Sequence, residues 1–132
     1  MKNHLVLYEK LVWKNSKNDS LNYRFRKPNN IKPKGKYPLL FFLHGAGGRG
    51  YNNNDQLLDA GSIEAFSKQN LFSKYGSYLV AAQVPYSQQW VDVRWDGLIH
   101  QTPKISKTME MTLELLDSII HDHSNYIDIN RI

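Results

Sequence analysis

The sequence predicts an α/β fold with a mixed, mostly parallel sheet that starts with an antiparallel pair of strands and is flanked by helices. Three observations support this prediction. Two short strand-like segments open the chain, two runs that are apolar on both faces follow at 37–43 and 78–84, and a stripe with helical spacing lies at 109–120. Because strands buried on both faces belong to parallel sheets covered by helices, this order predicts parallel crossovers after an antiparallel start. One domain, 1–132, is expected.

The first two strands are predicted from residue type and alternation. Residues 5–13 are rich in β-branched and aromatic side chains, and a turn cluster follows at 15–20. Apolar and polar residues then alternate over 21–26, and the apolar members are Leu21, Tyr23 and Phe25. A period of two predicts a half-buried strand whose polar face includes Arg24 and Arg26.

Two runs that are apolar on both faces predict central parallel strands. The first spans 37–43, and the second spans 78–84 and is closed by Pro85. Between them, capping residues at 52–55 predict a short helix that Gly61 interrupts. The apolar stripe is expected to continue through Ile63, Phe66 and Leu71.

The clearest predicted helix lies near the end of the sequence. Its apolar residues recur with helical spacing and are expected to form one buried stripe of Met109, Thr112, Leu113, Leu116, Ile119 and Ile120. Ser106 is the predicted N-cap, and Glu110 lies near the first turn, where the helix dipole favours a carboxylate. Residues 126–132 are predicted to turn and to enter a further strand.

Composition excludes several classes of function. The sequence contains no cysteine, which excludes disulfides, thiolate zinc sites and a cysteine nucleophile. Its apolar runs are shorter than the roughly 18 residues of a membrane span, so no membrane partner is expected. The start at Met1–His4 leads into a short alternating segment rather than a secretory pattern. A cytoplasmic location is the default expectation, and a secreted one if a leader was removed. No metal and no organic cofactor is implied.

The formal net charge of +5 raises the question of a nucleic-acid partner. Much of the excess lies in one early region, among Asn, Pro and Gly residues that predict turns. The basic residues there are Lys14, Lys17, Arg24, Arg26, Lys27, Lys32, Lys34 and Lys36. A nucleic-acid surface would place such charges on one face beside stacking aromatic rings. Solvated loops are therefore the preferred interpretation, and no nucleic-acid partner is expected.

The most informative segment is the His-Gly-x-Gly turn at 44–48, which follows the first apolar run. Glycine lets the backbone turn sharply and approach a ligand without interference from a Cβ atom. In α/β serine hydrolases such a turn supplies backbone N–H groups that stabilise the oxyanion of ester hydrolysis. An ordinary glycine-rich turn between strand and helix is the alternative. The sequence has no Gly-x-Ser-x-Gly elbow, so no residue is assigned as nucleophile.

Four segments in the same order carry a resemblance to a known family. Residues 37–47 are similar to the oxyanion strand and turn of the predicted-peptidase and feruloyl-esterase-like branch of the α/β-hydrolases. Residues 21–28 resemble its second strand, residues 82–85 with 90–93 its fourth strand and following loop, and residues 128–132 the approach to its nucleophile strand. The resemblance covers nearly the whole sequence and implies the N-terminal part of an α/β-hydrolase fold.

The resemblance also implies a function and assigns roles within the glycine turn. The function is that of a carboxylesterase-type serine hydrolase acting on a small-molecule ester. The amide of Ala46 or of Gly47 would be the oxyanion donor on this loop. His44, Gly45 and Gly48 would support the loop, and His44 would do so through hydrogen bonds rather than as a catalytic base.

Candidates outside the turn carry weaker signals. Trp90 lines an acyl or aromatic pocket by resemblance, or alternatively caps the end of the sheet. Three residues are expected to act as structural partners of loops: Gln83, Asp92 and Arg94. His121 and His123 are two residues apart on a helix and point to different sides, so solvated helix-end histidines are expected rather than metal ligands.

The implied strand order is one, two, four, three, and then a fifth strand that carries the serine beyond Ile132. Without that strand, residues 39–43 are expected to form an exposed apolar edge, which a complementing chain or a second copy would cover. The isolated chain is predicted to be inactive because the serine elbow and its Asp and His partners are absent. Acyl and alcohol specificity stay open. The alternative function is a non-catalytic α/β module that binds an anion or a protein partner at the glycine turn.

Overall fold

Four strands form one mixed sheet. The computed structural model describes residues 4–132, with residues 60, 62 and 69 described through their backbone alone. The strands are β1 (Glu9–Lys14), β2 (Ser20–Arg26), β3 (Leu39–Phe42) and β4 (Tyr78–Gln83), in the order β1-β2-β4-β3. β2 pairs antiparallel with β1 and with β4, whereas β3 pairs parallel with β4. The sequence prediction of this order is confirmed.

The first strand begins later than the sequence predicts. Residues His4–Leu7 form a 3₁₀ turn, and β1 starts at Glu9. The reason is the burial of Tyr8, whose hydroxyl lies 2.7 Å from Ser67 Oγ, while its carbonyl accepts a hydrogen bond from Arg24. These contacts hold the chain away from the sheet at this point. The start of the chain at Met1–Asn3, where the absence of a secretory pattern was inferred, lies outside the described residues.

The predicted polar face of β2 is wrong for its two arginines, which are both buried. Arg24 donates hydrogen bonds to the carbonyls of Asn53 and Tyr8, at 2.6 and 3.1 Å. The guanidinium carbon of Arg26 lies 3.4 Å from the centre of the Phe72 ring. Backbone carbonyls and an aromatic face thus replace water around these cations. The lysines of the same region are exposed, as the solvated-loop interpretation predicts.

β3 lies at the edge of the sheet, and its first half is partly covered. The N–H groups of Tyr37 and Leu39 donate to the carbonyls of Tyr126 and Arg131, at 2.8 and 3.0 Å. A parallel bridge joins Tyr37 to Ile127, but residues 126–132 form turns and not the predicted strand. β3 is an edge strand, and over 39–43 Leu39 is buried, the next three residues are half-buried and Leu43 is exposed.

Short helices connect β3 to β4, and a long helix follows β4. The short ones are α1 (Asp55–Leu58), α2 (Ser62–Ser67) and α3 (Gln69–Tyr75), and the long one is α4 (Lys107–Asp122). Gly61 separates α1 from α2 with a left-handed φ of 67°, which glycine adopts without strain. Ile63 is buried as expected, whereas Phe66 and Leu71 are exposed.

Helix α4 begins as predicted, but its buried stripe differs from the predicted one. The hydroxyl of Ser106 accepts the N–H of Met109, which makes Ser106 the N-cap. Leu113 is exposed, and the buried residues are Thr108, Met111, Thr112, Leu115 and Ile119. Thr112 is buried because its hydroxyl donates to the carbonyl of Thr108, at 2.7 Å. Thr112 and Ile119 are thus buried as predicted, whereas Thr108, Met111 and Leu115 are buried in addition.

Two apolar clusters cover opposite faces of the sheet. Helix α4 packs on one face, where the cluster includes Phe25, Leu39, Tyr78 and Leu115. The helices α1 and α2 pack on the other face, where Leu57 and Ile63 meet alternate residues of β4. β4 is buried along its whole length, as the apolar run predicts. Among residues 4–132, no helix combines the length and apolar character needed to cross a membrane.

Candidate functional site

The glycine turn lies directly after β3, at the carboxyl end of the parallel strand pair. Ala46–Gly48 form a single 3₁₀ turn in which Gly48 N–H donates to the carbonyl of Gly45, at 3.1 Å. The N–H groups of Ala46 and Gly47 have no acceptor among residues 4–132. Both residues are exposed. Two adjacent backbone donors of the turn are thus left without an internal acceptor.

The imidazole of His44 is buried beneath this turn and uses both of its nitrogens. Nε2 accepts the N–H of Val84 at 3.1 Å, and Nδ1 lies 2.6 Å from the carbonyl of Gly45. Because Val84 N–H can only donate and a carbonyl can only accept, the ring carries its proton on Nδ1. Burial lowers the pKa of His44 below its ordinary value of 6.5, which keeps the ring neutral.

Three glycines of the turn have close neighbours that exclude a side chain. A Cβ atom on Gly48 would lie 2.5 Å from the His44 ring. A Cβ atom on Gly45 or on Gly47 would lie 2.8 Å from a carboxylate oxygen of Asp59. The same carboxylate accepts the N–H of Gly45. The turn is therefore held between a histidine on one side and an aspartate on the other.

Gln83, at the end of β4, connects the turn to the segment that precedes α1. Its Oε1 accepts the N–H of Asn53 at 2.6 Å, and its Nε2 donates to the carbonyl of Gly48 at 3.2 Å. The side chain of Asn53 in turn donates to the carbonyls of Leu11 and Tyr23, at 2.9 and 3.1 Å. Through this buried amide pair, the position of Gly48 is coupled to three strands.

Trp90 has features of both interpretations left open by the sequence. Its indole N–H donates to the carbonyl of His44 at 2.8 Å, and the two rings lie 5.2 Å apart. One part of the side chain packs on the core cluster beneath α4. Another part lines a cavity beside the glycine turn. Trp90 thus covers the end of the sheet and forms a wall of a cavity at the same time.

The cavity beside the turn has a volume of about 210 Å³. It is lined by Ala46 and Gly45 of the turn and by apolar side chains that include Val84, Trp90, Val93 and Trp95. Arg49 is the charged group on its wall, with its guanidinium carbon 4.6 Å from the centre of the Trp95 ring. A molecule in this cavity would lie beside the exposed amide of Ala46.

The other candidate residues lie outside this arrangement. Arg94 forms an exposed ion pair with Asp96, 2.8 Å between Nη2 and Oδ2, and Asp92 is exposed. His121 is exposed as expected, but His123 is half-buried, because its ring packs 5.2 Å from that of Tyr78. Over the described part of the chain, no group of three or more metal-ligand side chains comes together.

Asp59 and Arg49 are the residues of this site that sequence reasoning missed. Asp59 lies in the 3₁₀ turn that follows α1, fourteen positions from the glycine it contacts, so no local pattern connects the two. Arg49 offered a signal, since it is the single basic residue next to the glycine turn. Its contact with Trp95 joins two residues that are separated in the sequence by α1, α2, α3 and β4, so spacing does not reveal it.

Solved structures with the same fold support the class of architecture. A thermostable esterase has a TM-score of 0.81 and 24% identity, over 97% of this chain and 33% of that chain. The BES protein from Bacillus cereus has a TM-score of 0.53 and 13% identity, over 95% of this chain and 51% of that one. Neither a protein-family model nor a curated protein matches the sequence.

The fold is a mixed, partly parallel α/β sheet flanked by helices, and it matches part of the thermostable esterase, as the sequence predicts. The strand order, the parallel step from β3 to β4 and the esterase likeness agree on this point. The chain spans about a third of the length of that esterase.

Proposed function

We propose that this chain is the N-terminal part of a carboxylesterase-type serine hydrolase and supplies its oxyanion-binding loop. The substrate is a small-molecule ester. In the complete enzyme a serine forms the acyl-enzyme, the loop stabilises the tetrahedral oxyanion, and water releases the acid. The observation that carries the proposal is the pair of unused N–H groups on Ala46 and Gly47, two exposed residues of the turn, of which Ala46 lines an apolar cavity.

The chemistry of this loop follows from charge. Ester hydrolysis passes through a negatively charged oxygen, and donors that are already oriented lower the energy of that state without reorganisation. The loop is oriented by the His44 and Asp59 contacts, which leave the two amides unused. His44 supports the loop and does not act as a base, because both ring nitrogens are occupied in a buried position.

The amide of Ala46 can be removed with little change to the loop. Ala46 is the first residue of its 3₁₀ turn, a position where proline is tolerated, and Gly45 before it is extended at φ −78° and ψ −170°. We expect Ala46→Pro to fold normally and to weaken acetate binding to the turn roughly tenfold, because one charge-assisted hydrogen bond is lost. Amide chemical shifts of Ala46 and Gly47 during an acetate titration, against chloride at equal ionic strength, measure the binding.

Ala46→Ser is the matched control, since it keeps the amide and should bind acetate as the parent chain does. If acetate shifts neither amide, or if it shifts the Ala46 amide and the proline variant still binds it unchanged, the turn is not an anion-binding loop and the proposal fails. If only Gly47 responds, Gly47 is the donor on this loop.

The isolated chain is expected to lack esterase activity. Its sequence contains no serine elbow, so nothing attacks the ester carbonyl. p-Nitrophenyl acetate hydrolysis should equal the buffer rate, and a serine-reactive fluorophosphonate should leave the mass of the chain unchanged. Turnover together with stoichiometric labelling would refute this expectation. Reading the DNA that follows codon 132 for the elbow, and for a later Asp and His, tests the proposal for the complete protein.

A non-catalytic module that binds an anion or a protein at the glycine turn is the second candidate. The same exposed amides support it, since they bind an anion whether or not a serine lies beside them. The two candidates differ in the sequence that follows: an elbow is required by the first and not by the second.

A further inference from the structure

A cation that the proposed chemistry does not require, Arg49, lies on the wall of the cavity beside the glycine turn. Among the residues that the structure describes, no Asp or Glu lines the cavity. His44 lines it as well but is neutral, because burial lowers its pKa. The nearby carboxylate of Asp59 contacts the turn without lining the cavity. The remaining lining is largely apolar, with two tryptophans and three valines.

The guanidinium of Arg49 is held in place but is not neutralised. Its Nε donates to the carbonyl of Ala46 at 3.2 Å, and Nη1 lies 3.5 Å from the carbonyl of Tyr86. Its planar group faces the ring of Trp95. No carboxylate pairs with it among residues 4–132, and Nη2 has no acceptor there. A guanidinium with unused donors favours an anionic ligand over a neutral one.

We propose that this cavity selects aromatic esters that carry an anionic substituent, with Arg49 as the residue that recognises the anion. The ester carbonyl points to the amides of Ala46 and Gly47, the aromatic ring lies between Trp90 and Trp95, and the anion meets the guanidinium. Tryptophan faces favour a flat ring, and a cavity of about 210 Å³ accommodates one ring with small substituents. The inference rests on the proposed function, because the loop amides determine where the ester carbonyl of the ligand lies.

A pair of probes with the same shape, one charged and one uncharged, tests this inference on the chain as it exists. The probes are methyl 4-carboxybenzoate, which carries the anion, and methyl 4-carbamoylbenzoate, which replaces it with a neutral amide. Titrations are followed through the indole N–H signals of Trp90 and Trp95. We expect the carboxylate probe to bind roughly tenfold more tightly, as one charge-assisted pair in a half-buried site predicts.

Arg49→Gln should remove this preference, so that both probes bind with equal affinity. Arg94→Gln is the matched control: it removes an arginine that is paired with Asp96 and does not line this cavity, and it should keep the preference. If the Arg49 variant does not fold, the parent chain decides the matter, because a preference due to charge falls as ionic strength rises.

Equal binding of the two probes, a preference that survives Arg49→Gln, or no saturable shift with either probe would overturn the inference. These outcomes are distinct from failure of the proposed function. That function is judged by acetate shifts at the amides of Ala46 and Gly47 and by Ala46→Pro, both measured in the Arg49→Gln background, where the guanidinium beside Ala46 does not contribute. Acetate binding at the amides without a preference between the probes would leave the function standing and the specificity wrong.

Discussion

At the scale of single residues, His44 determines the shape of the site. Its ring accepts one backbone N–H and donates to a backbone carbonyl, so the ring connects the end of β4 to the glycine turn. This arrangement requires a neutral imidazole with a defined tautomer. A protonated ring would present a donor to Val84 N–H, and the contact would become repulsive.

The stability of the fold should therefore depend on pH. Burial lowers the pKa of His44 below 6.5, so the unfolded chain takes up a proton before the folded chain does. Stability is then fully present above the unfolded value and is lost as the pH falls toward the folded value. Urea unfolding at about pH 7.5 and about pH 5.5 should give a lower free energy of unfolding at the acidic pH.

His44→Gln should reduce this pH dependence while lowering stability at both pH values, because a polar contact is lost. His121→Gln, at an exposed position, should leave the pH dependence unchanged. The pKa of His123 is also lowered by burial and by the charge of Lys27, so part of the dependence should remain in the His44 variant. A pH dependence that is identical in His44→Gln and the parent chain would contradict the assignment.

The roles of residues near the turn were predictable where they depend on neighbours in the sequence. A histidine followed by glycines at the end of an apolar run indicates a loop with exposed amides. The buried positions of Arg24 and Arg26 were not predictable, since their partners are the carbonyl of Asn53 and the ring of Phe72. Alternation in β2 identifies two faces, but it does not reveal that α1 and α3 cover the polar one.

At the scale of secondary-structure elements, the end of β4 organises the segments around it. Gln83 is buried and makes one hydrogen bond to the glycine turn and others to the segment before α1. A glutamine that closes an apolar strand therefore connects that strand to two loops. The sequence indicated a structural partner at this position, but not which loops it joins.

Gln83→Met tests this connection. Methionine has a similar length and no hydrogen-bonding amide, so Asn53 N–H and the carbonyl of Gly48 would be left without partners. We expect the free energy of unfolding to fall by about 2 to 4 kcal/mol. Thermal or urea unfolding measures it, with Gln101→Met at an exposed site as the control. Equal stability of the two variants would mean that water replaces the amide without cost.

Helix α4 shows why an element can be predicted while its buried face is not. The helical period and the Ser106 cap fix where the helix lies along the chain. Both the predicted and the observed stripes have helical spacing, and they differ by a rotation about the helix axis. The rotation is set by packing on Phe25, Tyr78 and their neighbours, which a single sequence does not contain.

At the scale of the whole molecule, the residue patterns predicted an antiparallel start followed by parallel crossovers, and the strand order itself followed from the family resemblance. Which parts of the sheet the helices leave uncovered was less predictable. Helices cover both faces of the sheet, yet an apolar patch beside β3 is open to solvent. We call it the β3-side patch, and it consists of Leu40, Phe66, Leu71 and Tyr75. The last three side chains are 49%, 41% and 65% exposed. Local patterns do not show which apolar residues a fold leaves uncovered.

The β3-side patch lies next to the part of the β3 edge that residues 126–131 do not cover. Tyr37 and Leu39 donate outward to residues 126–131, and by alternation Phe41 faces the same edge beyond the point where that segment ends. An open edge beside apolar side chains favours pairing with another chain. We therefore predict that this chain associates with itself through the edge of β3 and the β3-side patch, in a concentration-dependent manner.

Sedimentation velocity over a range of concentrations tests this association. With a net charge of +5, two copies repel each other, so added salt should strengthen an association that rests on apolar burial. Leu71→Glu should shift the chain toward monomer, because it places a charge in the contact. Leu98→Glu, at a fully exposed position outside the β3-side patch, should not. A monomer at every concentration would mean that solvent covers this edge, and equal effects of the two variants would mean that the contact lies elsewhere.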